Sequence, residues 1–222
     1  MRADDKVVPV KVLYEDNHLL VIEKPVNIPM QEDSSKDPDL LTLCKEYIKE
    51  KYQKPGNVYL GLVHRLDRPV GGVCVFARTS KAASRLSDQV REHRFHKEYL
   101  AVVEDNGLED TGRFEDKLLK DSRTNTVRVD PGGKTAILDY EVLRRKDGLV
   151  LVRVDLKTGR SHQIRVQFSS RNHPLWGDQR YNKKALPGQQ IALWSYRLSF
   201  THPTTGEELC FTSEPDRYPF TD

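Results

Sequence analysis

The stretch Gly61-Leu62-Val63-His64-Arg65-Leu66-Asp67-Arg68-Pro69-Val70-Gly71-Gly72-Val73 sets one acid among basic side chains, directly before a Pro/Gly turn and an apolar strand. His64, Arg65 and Arg68 favour the charged form of a carboxylate placed between them. The acid stands at the edge of a core element, where a loop is held firmly by its scaffold. That setting suits a catalytic aspartate facing an anionic substrate. The plainer reading of the same residues is a turn aspartate paired with Arg65 or Arg68.

Outward from this loop the chain alternates short strands with few helices. Upstream, Val10 to Tyr14 and Leu19 to Glu23 read as strands joined by the turn residues Glu15-Asp16-Asn17-His18. Asp37 and Pro38 suit the N-cap and first turn of a helix whose apolar face is Leu40, Leu41, Cys44, Tyr47 and Ile48. Lys54-Pro55-Gly56-Asn57 ends it, and Val58 to Val63 leads as a strand into the Asp67 loop. Downstream, Val73 to Ala77 is a strand, Ser80 to Arg91 a helix and His96 to Val103 a strand. Arg113 to Asp130 is hairpin-like. Thr135 to Arg144 and Leu149 to Leu156 are strands joined at Lys146-Asp147-Gly148. Gln163 to Ser170 is a short helix, and Leu193 to Thr201 and Glu208 to Thr212 close the chain as strands. Strands outnumber helices and hairpins dominate. The expected class is α+β, a mixed, mainly antiparallel central sheet flanked by helices, rather than a doubly wound parallel one. Residues 1–222 are expected to form a single domain.

Composition narrows the partners. With 37% hydrophobic and 31% charged residues the chain is globular in character, and its net charge of +3 permits a nucleic-acid partner without demanding one. Three cysteines, Cys44, Cys74 and Cys210, show neither Cys-x-x-Cys nor zinc spacing, so no metal is expected. Sparse cysteines, no apolar leader at Met1 to Lys6 and no apolar run of membrane length lead to the expectation of a cytoplasmic protein without membrane contact.

A second dense motif, Lys157-Thr158-Gly159-Arg160-Ser161-His162-Gln163-Ile164-Arg165, lies far downstream. Gly159 admits a backbone conformation that a side chain would block. Arg160, Ser161 and His162 then gather at the start of a short helix, where free N–H groups and the dipole favour a phosphate-sized anion. Ile164 and Phe168 face the core, and Arg165 lies off that face, free to meet an acid. A capped surface helix with solvated arginines is the plainer alternative. On the strand from His96, Tyr99 shares a face with Ala101 and Val103. It is either a core tyrosine or a ring that stacks on a base. The run Arg91-Glu92-His93-Arg94-Phe95-His96-Lys97 is a solvated helix end or a phosphate contact.

Taken together, these motifs resemble the RluA-type pseudouridine synthases. His64-Arg65-Leu66-Asp67 with Gly72 matches the family's His-Arg-Leu-Asp string. Lys97, Tyr99 and Ala101 match its Lys-x-Tyr-x-Ala strand. Gly159, Arg160, His162, Gln163, Ile164 and Arg165 match its Gly-Arg-x-His-Gln-Ile-Arg string, and Glu23-Lys24-Pro25 its early Lys-Pro segment. The motifs fall in the family's order over roughly Val10 to Thr212. The turn departs from the usual Asp-Thr-Ser-Gly, reading Pro69-Val70-Gly71-Gly72 after Arg68. The resemblance implies a stand-alone catalytic domain that isomerises uridine in ribosomal or transfer RNA to pseudouridine, without a cofactor, as a monomer. It implies Asp67 as nucleophile toward the uracil ring or the ribose C1′, or a glycal route. Arg165 would pair with Asp67, and Tyr99 would pack on the flipped base and serve as a general base. Ile164 would form the apolar floor, Arg65 would fill the gap left in the helix, and His64, Arg160, His162 and Gln163 would line the substrate site. Two rivals are an RNA-binding assembly factor that has lost the reaction and a metal-dependent phosphohydrolase using His64, Asp67 and His162.

Overall fold

Strands β2 (Leu19–Lys24) and β4 (Gly71–Ala77) are the apolar runs nearest the Asp67 loop, and both are buried on two faces. Successive side chains of a strand point to opposite faces. Leu20, Ile22, Cys74 and Phe76 accordingly pack in one cluster with Leu40, Cys44 and Ile48 of α1 (Leu40–Lys51) and Ile164 and Phe168 of α3 (Gln163–Ser169). Leu19, Val21, Val73 and Val75 pack in a second cluster with Ala82 and Leu86 of α2 (Ser80–Arg91). Two covered faces explain why these strands read as continuous apolar runs. A computed structural model describes residues 10–221.

The remaining strands are β1 (Lys11–Glu15), β3 (Gly61–Leu62), β5 (His96–Glu104), β6 (Thr111–Asp121), β7 (Thr126–Val129), β8 (Lys134–Lys146), β9 (Leu149–Leu156), β10 (Leu193–Thr201) and β11 (Glu208–Thr212). They form one sheet in the order β1-β2-β4-β10-β5-β9-β8-β6-β7, with β11 beside β10 and β3 beside β4. Every strand pair is antiparallel except β10 with β4. The expected α+β class, with helices against a mixed, mainly antiparallel sheet, is therefore the observed one. The β8–β9 turn is carried by Asp147 (φ 52) and Gly148 (φ 75), the paired positive φ values of a tight hairpin. Among the described residues no helix is long and apolar enough to cross a membrane. The reading of Met1 to Lys6 lies outside the described residues.

Two element boundaries are corrected. The N-cap of α1 is Asp39, whose carboxylate accepts the N–H of Thr42 at 3.0 Å. Asp37, the expected cap, is instead drawn to the guanidinium of Arg68. The strand expected over Val58 to Val63 shrinks to the two residues of β3. Its partner edge on β4 is shared: Phe76 and Ala77 pair with β3, while Gly71 and Gly72 pair with Trp194 and Ser195 of β10.

That shared edge explains the glycines of the unusual turn. A Cβ on Gly71 would lie 2.4 Å from the Trp194 ring, and one on Gly72 (φ +112) 2.1 Å from the Ser195 carbonyl. Close approach of the parallel partner, rather than a missing hydroxyl, is what these two positions express.

Candidate active site

Asp67 leaves the sheet at the start of the turn into β4, which Val70 closes by donating its N–H to the Asp67 carbonyl at 2.9 Å. The loop is held from beneath by Lys24. Its side chain is fully buried and its Nζ donates to the carbonyls of Pro25 (3.0 Å), Arg68 (3.0 Å) and Val70 (2.7 Å). An ammonium has three protons, and here all three are used. Arg68 turns away to Asn27, Ser35, Asp33 and Asp37, and the exposed Arg65 has no partner among the described residues. Neither neighbour pairs with Asp67, so the plain turn reading fails.

The cation beside Asp67 comes from 98 residues further along the chain. Arg165 Nη1 donates to Asp67 Oδ2 at 3.0 Å. The guanidinium is clamped from its other side by Asp178, with Nε to Oδ2 at 2.9 Å and Nη2 to Oδ1 at 2.7 Å. Such a forked pair fixes orientation as well as charge. Arg165 is 6% exposed and, as expected of a residue off the Ile164–Phe168 face, it meets an acid. Burial opposes its charge, but Asp178 and then Asp67 outweigh that and raise it above the ordinary arginine value. The Asp67 side chain stays 27% exposed, and its Oδ1 has no hydrogen-bond partner among the described residues. One oxygen is thus aimed by the protein and the other left available.

His162 completes the acid's surroundings. It occupies the N-cap of α3 in a left-handed backbone (φ 51, ψ 22) and places Nε2 3.9 Å from Asp67 Oδ2. Its Nδ1 meets the Tyr181 hydroxyl at 2.7 Å, and that hydroxyl accepts the Val127 N–H at 2.9 Å. When the Tyr181 hydroxyl donates to Nδ1, the neutral imidazole carries its proton on Nε2, toward Asp67. Burial pushes His162 below the ordinary histidine value, against the opposing charge of Asp67.

Asp67, Tyr99 and Arg165 line one cleft of about 1080 Å³, as do His64, Arg65, Arg160, His162, Gln163 and Ile164. All nine residues singled out in the sequence are therefore brought together, but in different ways. Tyr99 (6% exposed) and Ile164 belong to the core cluster and present the apolar wall. Burial, then the charge of Asp67, raises the Tyr99 phenol above its ordinary value, so the hydroxyl keeps its proton at neutral pH. Gln163 is consumed internally: its Oε1 accepts from Thr158 Oγ1 (2.8 Å) and the Arg160 N–H (3.0 Å), and its Nε2 donates to Ile137 (3.0 Å). Arg160 is exposed, and its Nε donates to the Thr135 carbonyl at 2.9 Å. His64 is buried, with Nε2 accepting the Val75 N–H at 3.2 Å.

Two details of this corner differ from the sequence reading. Of the N–H groups at the start of the helix, that of Arg160 is taken by Gln163 Oε1 and that of Gln163 by the Arg160 carbonyl. Gly159 has no positive φ; its missing side chain keeps space beside Lys97 Nζ, which a Cβ would approach at 3.1 Å. The left-handed residue of the motif is His162. Among the described residues no group of three or more His, Cys, Asp or Glu is placed to hold a metal ion, so His64, Asp67 and His162 do not converge as ligands.

Sequence reasoning quoted Lys24 in its Lys-Pro segment without giving it a task, and missed Asp178. For Lys24 a signal existed, a lone cation ending the buried run Leu19-Leu20-Val21-Ile22-Glu23. For Asp178, in irregular chain after Gly177, there was none. Lys24 carries a testable pH dependence. Burial pushes it down to about 8, against the raising effects of Cys74 and Asp67. Once deprotonated it has two N–H groups for three carbonyls, so one strut under the Asp67 loop is lost. Catalytic turnover is expected to fall as pH rises through about 8, and Lys24→Met to lack that limb. An alkaline limb retained in the variant would assign it to another group.

The profile of the family described as RNA pseudouridylate synthase matches residues 18–170. An uncharacterized RNA pseudouridine synthase of Aquifex aeolicus is 33% identical, over 95% of this chain and 71% of its own length. The ribosomal large subunit pseudouridine synthase D of Neisseria meningitidis is 34% identical over 90% of this chain and 56% of its own. The ribosomal large subunit pseudouridine synthase C of a Buchnera aphidicola strain is 31% identical over 90% of this chain; the chain spans 65% of that relative. The solved structure of human RNA pseudouridylate synthase domain containing 4 superposes with a TM-score of 0.79 at 22% identity, over 94% of this chain and 89% of that one. The fold, the Asp67–Arg165 pair and these matches lead to one assignment: the chain belongs to the RNA pseudouridylate synthase family.

Proposed function

We propose that this chain isomerises uridine to pseudouridine in a structured RNA, ribosomal or transfer, with Asp67 as nucleophile and the target base flipped out of its stack. The observation that carries the proposal is the Asp67 carboxylate, paired on one oxygen with Arg165 at 3.0 Å and unpartnered on the other, in an open cleft. In the reaction the N1–C1′ bond breaks and a C5–C1′ bond forms. The proton on C5 is lost to solvent, and N1 gains one. No redox change occurs, so the step balances without a co-reactant.

The residues divide the work. Arg165 holds the carboxylate in one orientation, which removes the cost of ordering it at the moment of attack. Tyr99 and Ile164 offer the apolar wall against which a uracil ring packs. The target atom is inaccessible in a stacked helix, so the nucleotide must swing out at a cost of a few kcal/mol, least in loops. Arg65, exposed and unpaired among the described residues, stands at the mouth to occupy the vacated space. Attack on the base, attack on the ribose and a glycal route all begin from this one carboxylate.

The test is release of tritium from cellular RNA labelled at uracil C5, followed by site mapping of pseudouridine in RNA from cells with and without the gene. Release above background, with sites that vanish in the deletion strain, is the expected result. RNA that binds the protein without releasing tritium would favour the non-catalytic rival.

A further inference from the structure

Two donors in the cleft have no acceptor. Lys97, on β5 and on the same strand face as Tyr99, is 8% exposed, and its Nζ makes no hydrogen bond or ion pair with any described residue. His64 is also 8% exposed, and its Nδ1 is unpartnered. Because His64 Nε2 accepts the Val75 N–H, the neutral ring carries its proton on Nδ1. Burial, then the nearby charge of Lys97, pushes His64 down to about 3, so it is neutral at physiological pH. Both side chains line the same cleft as Asp67.

The buried His64 N–H without an acceptor destabilises the free protein, and an orphan of this kind points to a missing ligand. The Lys97 ammonium, nearly buried and without a counter-charge, adds to that cost. Neighbouring acids do not supply one: Asp67 is paired with Arg165, and Asp155 with Lys157. Gly159 keeps the space beside Lys97 Nζ open, with a backbone that needs no glycine for conformation. An anion is the partner that both accepts these protons and offsets the charge of the ammonium, for which no carbonyl is supplied as the three are beneath Lys24.

We propose that Lys97, with His64 beside it, forms a binding site for a phosphodiester oxygen of the RNA strand entering the cleft, in the space reserved by Gly159. This rests on the reading of the chain as an RNA-modifying enzyme, and it names the contact that seats the strand. Lys97 is a binding residue; Asp67 remains the reacting one.

The test is Lys97→Met, which removes the charge and keeps the stem. The probe is a labelled oligouridylate, with fluorescence anisotropy read over a KCl series. Affinity is expected to fall about tenfold, and the slope of log affinity against log salt to weaken by roughly 0.7, one single-strand phosphate. Lys97→Arg is expected to keep the slope. Because the variant deletes an uncompensated buried charge, its Tm is expected to rise by about 2–4 °C. An unchanged salt slope overturns the assignment, and a lowered Tm shows instead that Lys97 is a structural prop. Tritium release by the wild type keeps the two readings apart. Release with an unchanged slope removes only the lysine site; a changed slope without release leaves an RNA site and removes the reaction.

Discussion

Asp67→Asn is expected to lose roughly four powers of ten or more in isomerisation while keeping its fold and its affinity for RNA. The substitution preserves volume and leaves an amide oxygen for Arg165 Nη1. It removes the charge and replaces one nucleophilic carboxylate oxygen by an NH2 group, leaving a neutral amide that is a far weaker nucleophile. The stability cost is expected to stay within about 1 kcal/mol, because Arg165 remains neutralised by the fully buried Asp178 and the 67 position is itself partly solvated. The measurement pairs tritium release from uracil-labelled RNA with thermal melting and RNA binding of the same preparation. Wild-type release from the variant would remove Asp67 from the chemistry. Loss of release accompanied by unfolding would show that its role is to hold Arg165 rather than to react.

The features visible in the sequence are those with a local cause. Short continuous apolar runs such as Val73 to Ala77 announced the sheet, and Lys146-Asp147-Gly148 announced a tight hairpin, because strand burial and turn chemistry act over a few neighbouring residues. The two charged motifs announced the site through the kinds of residue they gather. The pairings were less legible. Nothing near Asp67 tells that its cation is Arg165 rather than Arg65 or Arg68, since the choice is made by β10 docking between β4 and β5. Lys24 stood in the sequence only as part of a Lys-Pro segment, and the carbonyls of Arg68 and Val70, brought in from a distant loop, give it a buried task. Gly71 read as a deviation until Trp194 was seen filling its side-chain space. The N-cap choice between Asp37 and Asp39 turned on which of them Arg68 would engage.

The largest stability effect is expected at Asp178, a residue with no signature of its own. Its carboxylate has no exposed surface and accepts two hydrogen bonds from Arg165, along with the N–H of Arg180 at 3.1 Å. Asp178→Ala leaves a buried guanidinium facing Asp67 alone. Breaking one side of such a pair costs about 3–5 kcal/mol, which for a domain of this size lowers Tm by roughly 6–20 °C. Turnover should fall as well, because Arg165 is no longer fixed and the Asp67 oxygen it aims is free to wander. Arg165→Met combined with Asp178→Leu separates the two effects. Replacing the whole pair by apolar side chains of similar size removes the uncompensated charge, so most of the lost Tm is expected to return. Activity is not expected to return with it, since the guanidinium that orients Asp67 is absent. Calorimetry of Arg165→Met, Asp178→Leu and the double closes a mutant cycle whose coupling should exceed about 2 kcal/mol. A coupling near zero, or a double variant that recovers both stability and turnover, would mean that Asp178 does not hold Arg165 for catalysis.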